Sequence, residues 1–246
     1  YMKMALEAGK PVLCEKAFTA NAAQAEEIFR ISEEKGIFAG EAMWTRFLPS
    51  RAMIDEVIRS GEIGKVHMIT ANLGYDIKNV ERLRNPELAG GALLDVGIYP
   101  LTFIRMITDA KIKSMDTSCV KLETGVDAQN AATFIFEDGC MASMHSSMLG
   151  GTEQAGIVYG DKGYLIAWNI NYVDRIQVFD NSRKLIREME TPEQITGFEY
   201  EVRAAMEAVR AGKTECPQMP HSESIYMMQL MDSMRNAWGI RFPFEK

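Results

Sequence analysis

Cysteine and histidine are scarce in this chain, at four and three of 246 residues. Cys14, Cys119, Cys140 and Cys216 form no CxxC pair and have no histidine at ligand spacing. That argues against a zinc site and for reduced thiols in a cytoplasmic protein. His67, His145 and His221 are far apart and suggest no metal cluster. Basic charge is also short: 27 Lys and Arg stand against 34 Asp and Glu, a net charge of -7. This balance argues against a nucleic-acid surface and for solubility. No run approaches the ~20 consecutive apolar residues that span a bilayer, so no membrane partner is expected. Internal repeats, low-complexity runs and disordered linkers are absent, and so is any GxGxxG. There is no initiating Met and no signal-peptide pattern. Tyr1 falls inside a helical pattern marked by Met4, Ala5 and Ala8. The chain therefore reads as starting in mid-fold, and a fragment or an incomplete gene model is expected.

What is present is ordinary globular composition, 47% hydrophobic and 25% charged, enough for one large domain or two modest ones. The first stretch has the helix–strand rhythm of a parallel α/β sheet. A helix over Tyr1–Ala8 stops at Gly9, and Pro11–Glu15 reads as a strand. Asn21 caps a helix over Ala22–Lys35, and Ile37–Met43 is the next strand. Pro49 and Ser50 open an amphipathic helix that runs to Gly61. Lys65–Tyr75 reads as a long strand, Arg82–Ala89 as irregular, and Ala92–Thr108 as an apolar helix. From Ile112 to Glu190 nearly everything reads as strand, split by Asp138-Gly139, Gly150-Gly151, Asp161-Lys162-Gly163 and Asp180-Asn181-Ser182. Sequential hairpins predict a large open antiparallel sheet. Helices over Gly197–Ala211 and Ser222–Trp238 close the chain.

Three clusters could carry chemistry. Val12-Leu13-Cys14-Glu15-Lys16 delivers a Glu-Lys pair to a strand end, where open α/β sheets bind ligands. The bland alternative is a solvated Lys after an edge strand. Trp44-Thr45-Arg46 lies at the end of the next strand. Gly90-Gly91 leads into a helix that is apolar almost all round, on which Asp95 and Tyr99, four apart, share a face. A carboxylate there needs a partner, and Lys16 or Arg46 would serve. The alternative is that Asp95 anchors locally and Tyr99 is a core aromatic with a satisfied hydroxyl. His67 and His145 read as sheet-face residues.

Leu13-Cys14-Glu15-Lys16, Glu41-Ala42-Met43-Trp44-Thr45-Arg46-Phe47-Leu48-Pro49 and Gly90 to Tyr99 together resemble the signature regions of the Gfo/Idh/MocA oxidoreductases. The likeness is strongest to the branch holding dihydrodiol dehydrogenase, NADP-dependent xylose dehydrogenase and glucose-fructose oxidoreductase. Gly160-Asp161-Lys162-Gly163 matches that family's sheet turn. Pro220-His221-Ser222-Glu223-Ser224, Trp238-Gly239-Ile240 and Pro243-Phe244 match its last helix and tail. Two features depart from the pattern. Ala17 stands where the family has a proline, and the amino-terminal βαβ unit with its glycine-rich phosphate turn is not among these residues.

The resemblance implies an α/β remnant of a Rossmann domain over 1–46. An α+β substrate and oligomerisation domain with a large open, predominantly antiparallel sheet would follow over 47–246, its last helix packing back towards the first part. It implies hydride transfer between a sugar or diol carbinol carbon and NADP or NAD. Tyr99 would be the general acid/base and Lys16 its electrostatic partner or a donor to the substrate oxygen. Asp95 would orient Lys16 or hold a second hydroxyl. Glu15, Lys16, Trp44 and Arg46 would line the nicotinamide end, and Trp44 could stack on a sugar face. A homodimer or higher homo-oligomer through the open sheet is also implied. The competing expectations are a non-catalytic ligand-binding or regulatory relative, and an inactive truncated fragment.

Overall fold

A computed structural model describes residues 1–245. The chain divides into two compact units. The first comprises 1–48 and 194–235, and the second comprises 49–193 and 236–245 among the described residues. The sequence expectation placed all of 47–246 in one domain. That expectation also had the last helix packing back towards the first part, and by contacts 194–235 groups with the first 48 residues.

The first unit opens with helix α1 (Met2–Glu7) and strand β1 (Val12–Glu15). Helix α2 (Ala22–Lys35) follows, with the Asn21 side chain accepting from Gln24 N at 3.0 Å. Its buried residues, Ala25, Ile28, Phe29 and Ser32 among them, lie on one side, as the 3.6-residue period requires. Strand β2 (Ala39–Ala42) pairs in parallel with β1, so that Glu15 lies opposite Ala42 and the two carboxyl ends are level. β2 is shorter than the predicted 37–43 strand. The chain leaves it into a single 3-10 turn, Trp44–Arg46.

In the second unit, helix α3 (Pro49–Ser60) leads to β3 (Val66–Gly74), the short helix α4 (Glu81–Arg84), and a 3-10 turn over Pro86–Leu88. The predicted helix over 92–108 forms in two parts, a π-helical turn at Leu93–Gly97 and an α-helix, α5 (Ile98–Ile107). Pro100 supplies a reason for the change of pitch. It has no N–H to donate back into the preceding turn, and the wider pitch there leaves room for its ring. Residues Pro86–Ile107 are long and apolar enough to cross a membrane by length and composition, but they are mostly buried, and α5 packs on β3 as a core helix.

Seven further strands follow: β4 (Ile112–Lys121), β5 (Asp127–Phe136), β6 (Met141–Ser147), β7 (Ala155–Gly160), β8 (Gly163–Trp168), β9 (Arg175–Asp180) and β10 (Leu185–Glu190). The eight-stranded sheet has the order β10-β9-β8-β7-β3-β6-β5-β4. It is large and mostly antiparallel, as the turn chemistry predicts, with one correction. β3 is inserted between β6 and β7, parallel to β6 and antiparallel to β7. The Gly150-Gly151 stretch therefore does not close a hairpin. β3 is apolar and buried along its second half, including Ile69, Ala71 and Leu73, which suits a strand with neighbours on both edges. The outer strands β4 and β10 are mostly exposed and carry Lys113, Lys121, Arg187, Glu188 and Glu190, charges that discourage edge pairing.

The first unit is completed by α6 (Phe198–Arg210) and α7 (His221–Ala237), the latter contributing its residues up to Arg235. His221 is buried, with Nε2 2.8 Å from Ala39 O and 3.1 Å from Thr214 O, and its ring stacks on Phe29. This histidine ties the start of α7 to the first residue of β2.

Candidate active site

In the first unit the end of β1 places Glu15 in solvent and Lys16 half-buried. The Lys16–Ala17 peptide is cis. The turn after Lys16 is held from the neighbouring strand, because Phe18 N donates to Glu41 Oε1 at 3.1 Å. Glu41 is 2% exposed. Burial pushes its carboxyl up to about 7, against the opposing pull of Ser224, the Phe18 amide and the Arg46 guanidinium. Its Oε2 lacks a well-formed hydrogen bond. A second buried carboxyl, Glu201 on α6, lies near enough to Glu15 to feel its charge. Burial first, and Glu15 second, raise its pKa to about 7.

Trp44 and Arg46 stand at the end of β2. Trp44 is stacked on Phe198 of α6, with ring centroids 4.6 Å apart. Gly197, with φ 91°, makes that approach possible, since a Cβ there would sit 2.8 Å from Trp44 Cζ3. Arg46 donates from Nε to Gln218 O at 2.8 Å and from Nη1 to Glu223 Oε1 at 3.2 Å. Both partners lie in the segment that includes the start of α7, so Arg46 anchors the turn carrying Trp44.

In the second unit, Asp95 and Tyr99 are the two residues of Gly91–Pro100 that are not buried. The π turn and the start of α5 bury everything else and leave this pair on the accessible side. π-helical turns of this kind are frequent at functional sites. Asp95 Oδ1 accepts from Arg82 Nη2 at 2.9 Å. Sequence reasoning proposed Lys16 or Arg46 as its partner and did not name Arg82, which falls in the stretch read as irregular. His67 and His145 are exposed on β3 and β6.

Sequence reasoning also gave no role to Glu41, Glu201 or Asp127. A signal existed for Glu41 and Asp127: an acidic residue inside an apolar run, as in Gly40-Glu41-Ala42-Met43 or Val126-Asp127-Ala128, must find hydrogen bonds or lose its charge. Among the described residues no group of three or more His, Cys, Asp or Glu side chains could hold a metal ion.

A profile of the GFO/IDH/MocA C-terminal domain matches residues 52–166. Trans-1,2-dihydrobenzene-1,2-diol dehydrogenase of Mus musculus is 30% identical over 254 residues, which cover 99% of this chain and 74% of that protein. D-xylose 1-dehydrogenase (NADP(+)) of Hypocrea jecorina is 30% identical over 272 residues, covering 98% of this chain and 70% of the relative. Among solved structures, aldose-aldose oxidoreductase from Caulobacter crescentus, complexed with glycerol, superposes with a TM-score of 0.85 at 19% identity. That match covers 97% of this chain and 72% of the other. The signature stretches, the eight-stranded sheet and these relatives agree: the chain belongs to the Gfo/Idh/MocA family of oxidoreductases.

Proposed function

We propose that this chain is a dehydrogenase that moves hydride between a carbinol carbon of a sugar or diol and NAD(P). The observation that carries the reading is the isolation of Asp95 and Tyr99 as the accessible pair on an otherwise buried helix start. The names of the relatives support the substrate class and the cofactor.

For the cofactor, the residues present suit one end. Glu15, Lys16, Trp44 and Arg46 follow the carboxyl ends of two parallel strands, the usual ligand position in an open α/β sheet. Glu15 and Lys16 would face the nicotinamide ribose. Trp44 and Arg46 would line the ring, from a turn already fixed by Phe198, Glu223 and Gln218. This chain has no glycine-rich turn for the diphosphate. When bound, NAD(P) supplies the acceptor for the hydride.

The chain's own residues handle the proton. As the C–H bond breaks and the hydride leaves, the hydroxyl loses its proton to the Tyr99 phenolate oxygen and the carbon becomes a carbonyl. An ordinary phenol titrates at about 10, so a neutral-pH base of this type needs a nearby cation, the role given to Lys16. Asp95, oriented by Arg82, holds a second hydroxyl or directs Lys16. In the reverse direction Tyr99 returns the proton to the alkoxide oxygen. The open sheet face would pair two copies of the chain.

The test is the pH–rate profile of Tyr99→Phe beside wild type, with D-xylose and NADP+ as a first substrate pair. Wild-type kcat/KM for oxidation should rise with pH. Tyr99→Phe should lose that rise and most of the rate while keeping the fold. An unchanged midpoint and amplitude would make another group the base.

A further inference from the structure

The π turn that carries Asp95 is held from below by a buried polar chain that the reaction, as described, does not use. Asp127, the first residue of β5, is 2% exposed. Its Oδ2 accepts from the backbone amide of Leu93 at 2.8 Å and from Asn130 Nδ2 at 2.8 Å. Asn130 Oδ1 in turn accepts from Ser146 Oγ at 3.1 Å, and both of these residues are buried. This chain meets both ends of the turn. At the start, a Cβ on Gly91 would fall 2.3 Å from Asp127 Oδ1. At the end, a Cβ on Gly97 would fall 3.0 Å from Ser146 Oγ. The backbone thus rests on the polar chain at Gly91, Leu93 and Gly97.

The first amides of a helix have no partner within it and need an acceptor from outside. Here the acceptor comes not from the preceding loop but from a strand 34 residues later. A carboxylate in that place is also favoured by the positive end of the helix dipole. The geometry therefore couples the position of the turn to the sheet, and with it the spacing of Asp95 and Tyr99 on the opposite, accessible side.

We infer that Asp127 is a positioning residue: through Leu93 it fixes the π turn so that Asp95 and Tyr99 stand ready to receive the substrate hydroxyl and its proton. This rests on the reading of Tyr99 as acid/base. Misplacement of a catalytic group by an ångström costs about 100-fold in rate, and that is the scale expected here.

Two measurements on the full chain test it. The first is hydrogen exchange without ligand. Asp127→Ala should speed exchange of the 93–97 amides at least tenfold and leave the 103–107 amides within twofold. Asp127→Asn, whose side-chain oxygen can still accept from Leu93 and Asn130, should stay near wild type. The second is a double-mutant cycle in kcat with D-xylose and NADP+. Asp127→Ala should lower kcat at least 30-fold with KM within threefold, and Asp127→Asn should recover most of that loss. In a Tyr99→Phe background Asp127→Ala should cost less than threefold more, because a group acting through Tyr99 has nothing left to position.

Unchanged exchange at 93–97 overturns the inference. So does an equal loss of kcat in both backgrounds, which marks a general structural effect. If Tyr99→Phe itself matches wild type, the acid/base reading has failed, and the exchange arm alone decides whether Asp127 holds the turn. Should Asp127→Ala fail to fold, Asn130→Ala removes one donor to the same oxygen. It must then show the same two effects at threefold or more, and no change in them overturns the inference.

Discussion

At the scale of single residues, Lys16 and Glu41 make separate predictions. Lys16→Met should lower kcat by about two to four decades, the usual scale for loss of acid/base function, with a much smaller change in cofactor affinity. Stopped-flow and cofactor titration distinguish the two, and retention of half the wild-type kcat would remove Lys16 from the mechanism. Glu41 acts on stability. Its folded-state pKa is about 7 against an ordinary 4.5. Below pH 4.5 both folded and unfolded chains hold the proton, and the group is neutral in its effect. Between those values the folded chain holds a proton that the unfolded chain has lost, so stability falls as pH rises. The loss is complete above about pH 7, on the order of 3 kcal/mol in total. Glu41→Gln keeps an acceptor for Phe18 N and removes the titration. Urea unfolding at pH 5 and pH 8 should show a smaller difference in Glu41→Gln than in wild type. Equal differences would mean Glu41 does not titrate as its burial implies.

At the scale of elements, the start of α6 is fitted closely against the turn that carries Trp44. Gly197 is left-handed, and a side chain there meets Trp44 and Gln194 Oε1 at once. Gly197→Ala should destabilise the first unit by about 1–3 kcal/mol through strain and displaced packing. It should also shift the Trp44 fluorescence. An unaltered spectrum and melting curve would show that the turn can give way without cost. Most element boundaries were legible from the sequence because their causes are local: Asn21 and Gly36 around α2, and Asp138-Gly139 between β5 and β6. The pairing order was not. Gly150-Gly151 looks like any hairpin turn, and nothing near Val66–Gly74 announces that β3 will lie between β6 and β7. Long-range pairing is decided by which strand can be buried on both edges. The candidate site divides the same way. Lys16, Trp44, Arg46, Asp95 and Tyr99 lie in short recognisable stretches. Arg82, Glu41 and Asp127 matter through contacts formed only when distant segments meet.

At the scale of the whole molecule, the exposed face of the sheet predicts self-association. Ile135, Met141, Met68, Tyr159, Tyr164, Phe179 and Leu185 lie directly opposite one another on successive strands from β5 to β10. Met68 and Met141 are each 43% exposed, and Tyr164 stacks on Phe179 at 5.0 Å. A continuous apolar row of this length is unusual on a surface left to water. Sedimentation at micromolar concentration should show a dimer or larger, and Met68→Glu should reduce it to monomer without loss of fold. A wild-type monomer under those conditions would defeat the proposal.

The two-part make-up of the first unit has a consequence for how the protein is made. Its opening 48 residues complete their packing only against 194–235, after nearly all of the second unit has been synthesised between them. On a ribosome adding about 5–20 residues per second, those opening residues wait on the order of ten seconds. Through that interval Leu13 and Phe38 lack Ala205, Ala208 and Cys216, the residues that cover them in the finished unit. The second unit, by contrast, has nearly all its chain in one run and can fold on emergence. Nascent chains arrested with Glu193 just clear of the exit tunnel should therefore carry a protease-resistant sheet and a protease-sensitive amino terminus. They should also recruit a chaperone that releases once α6 and α7 have cleared the exit tunnel.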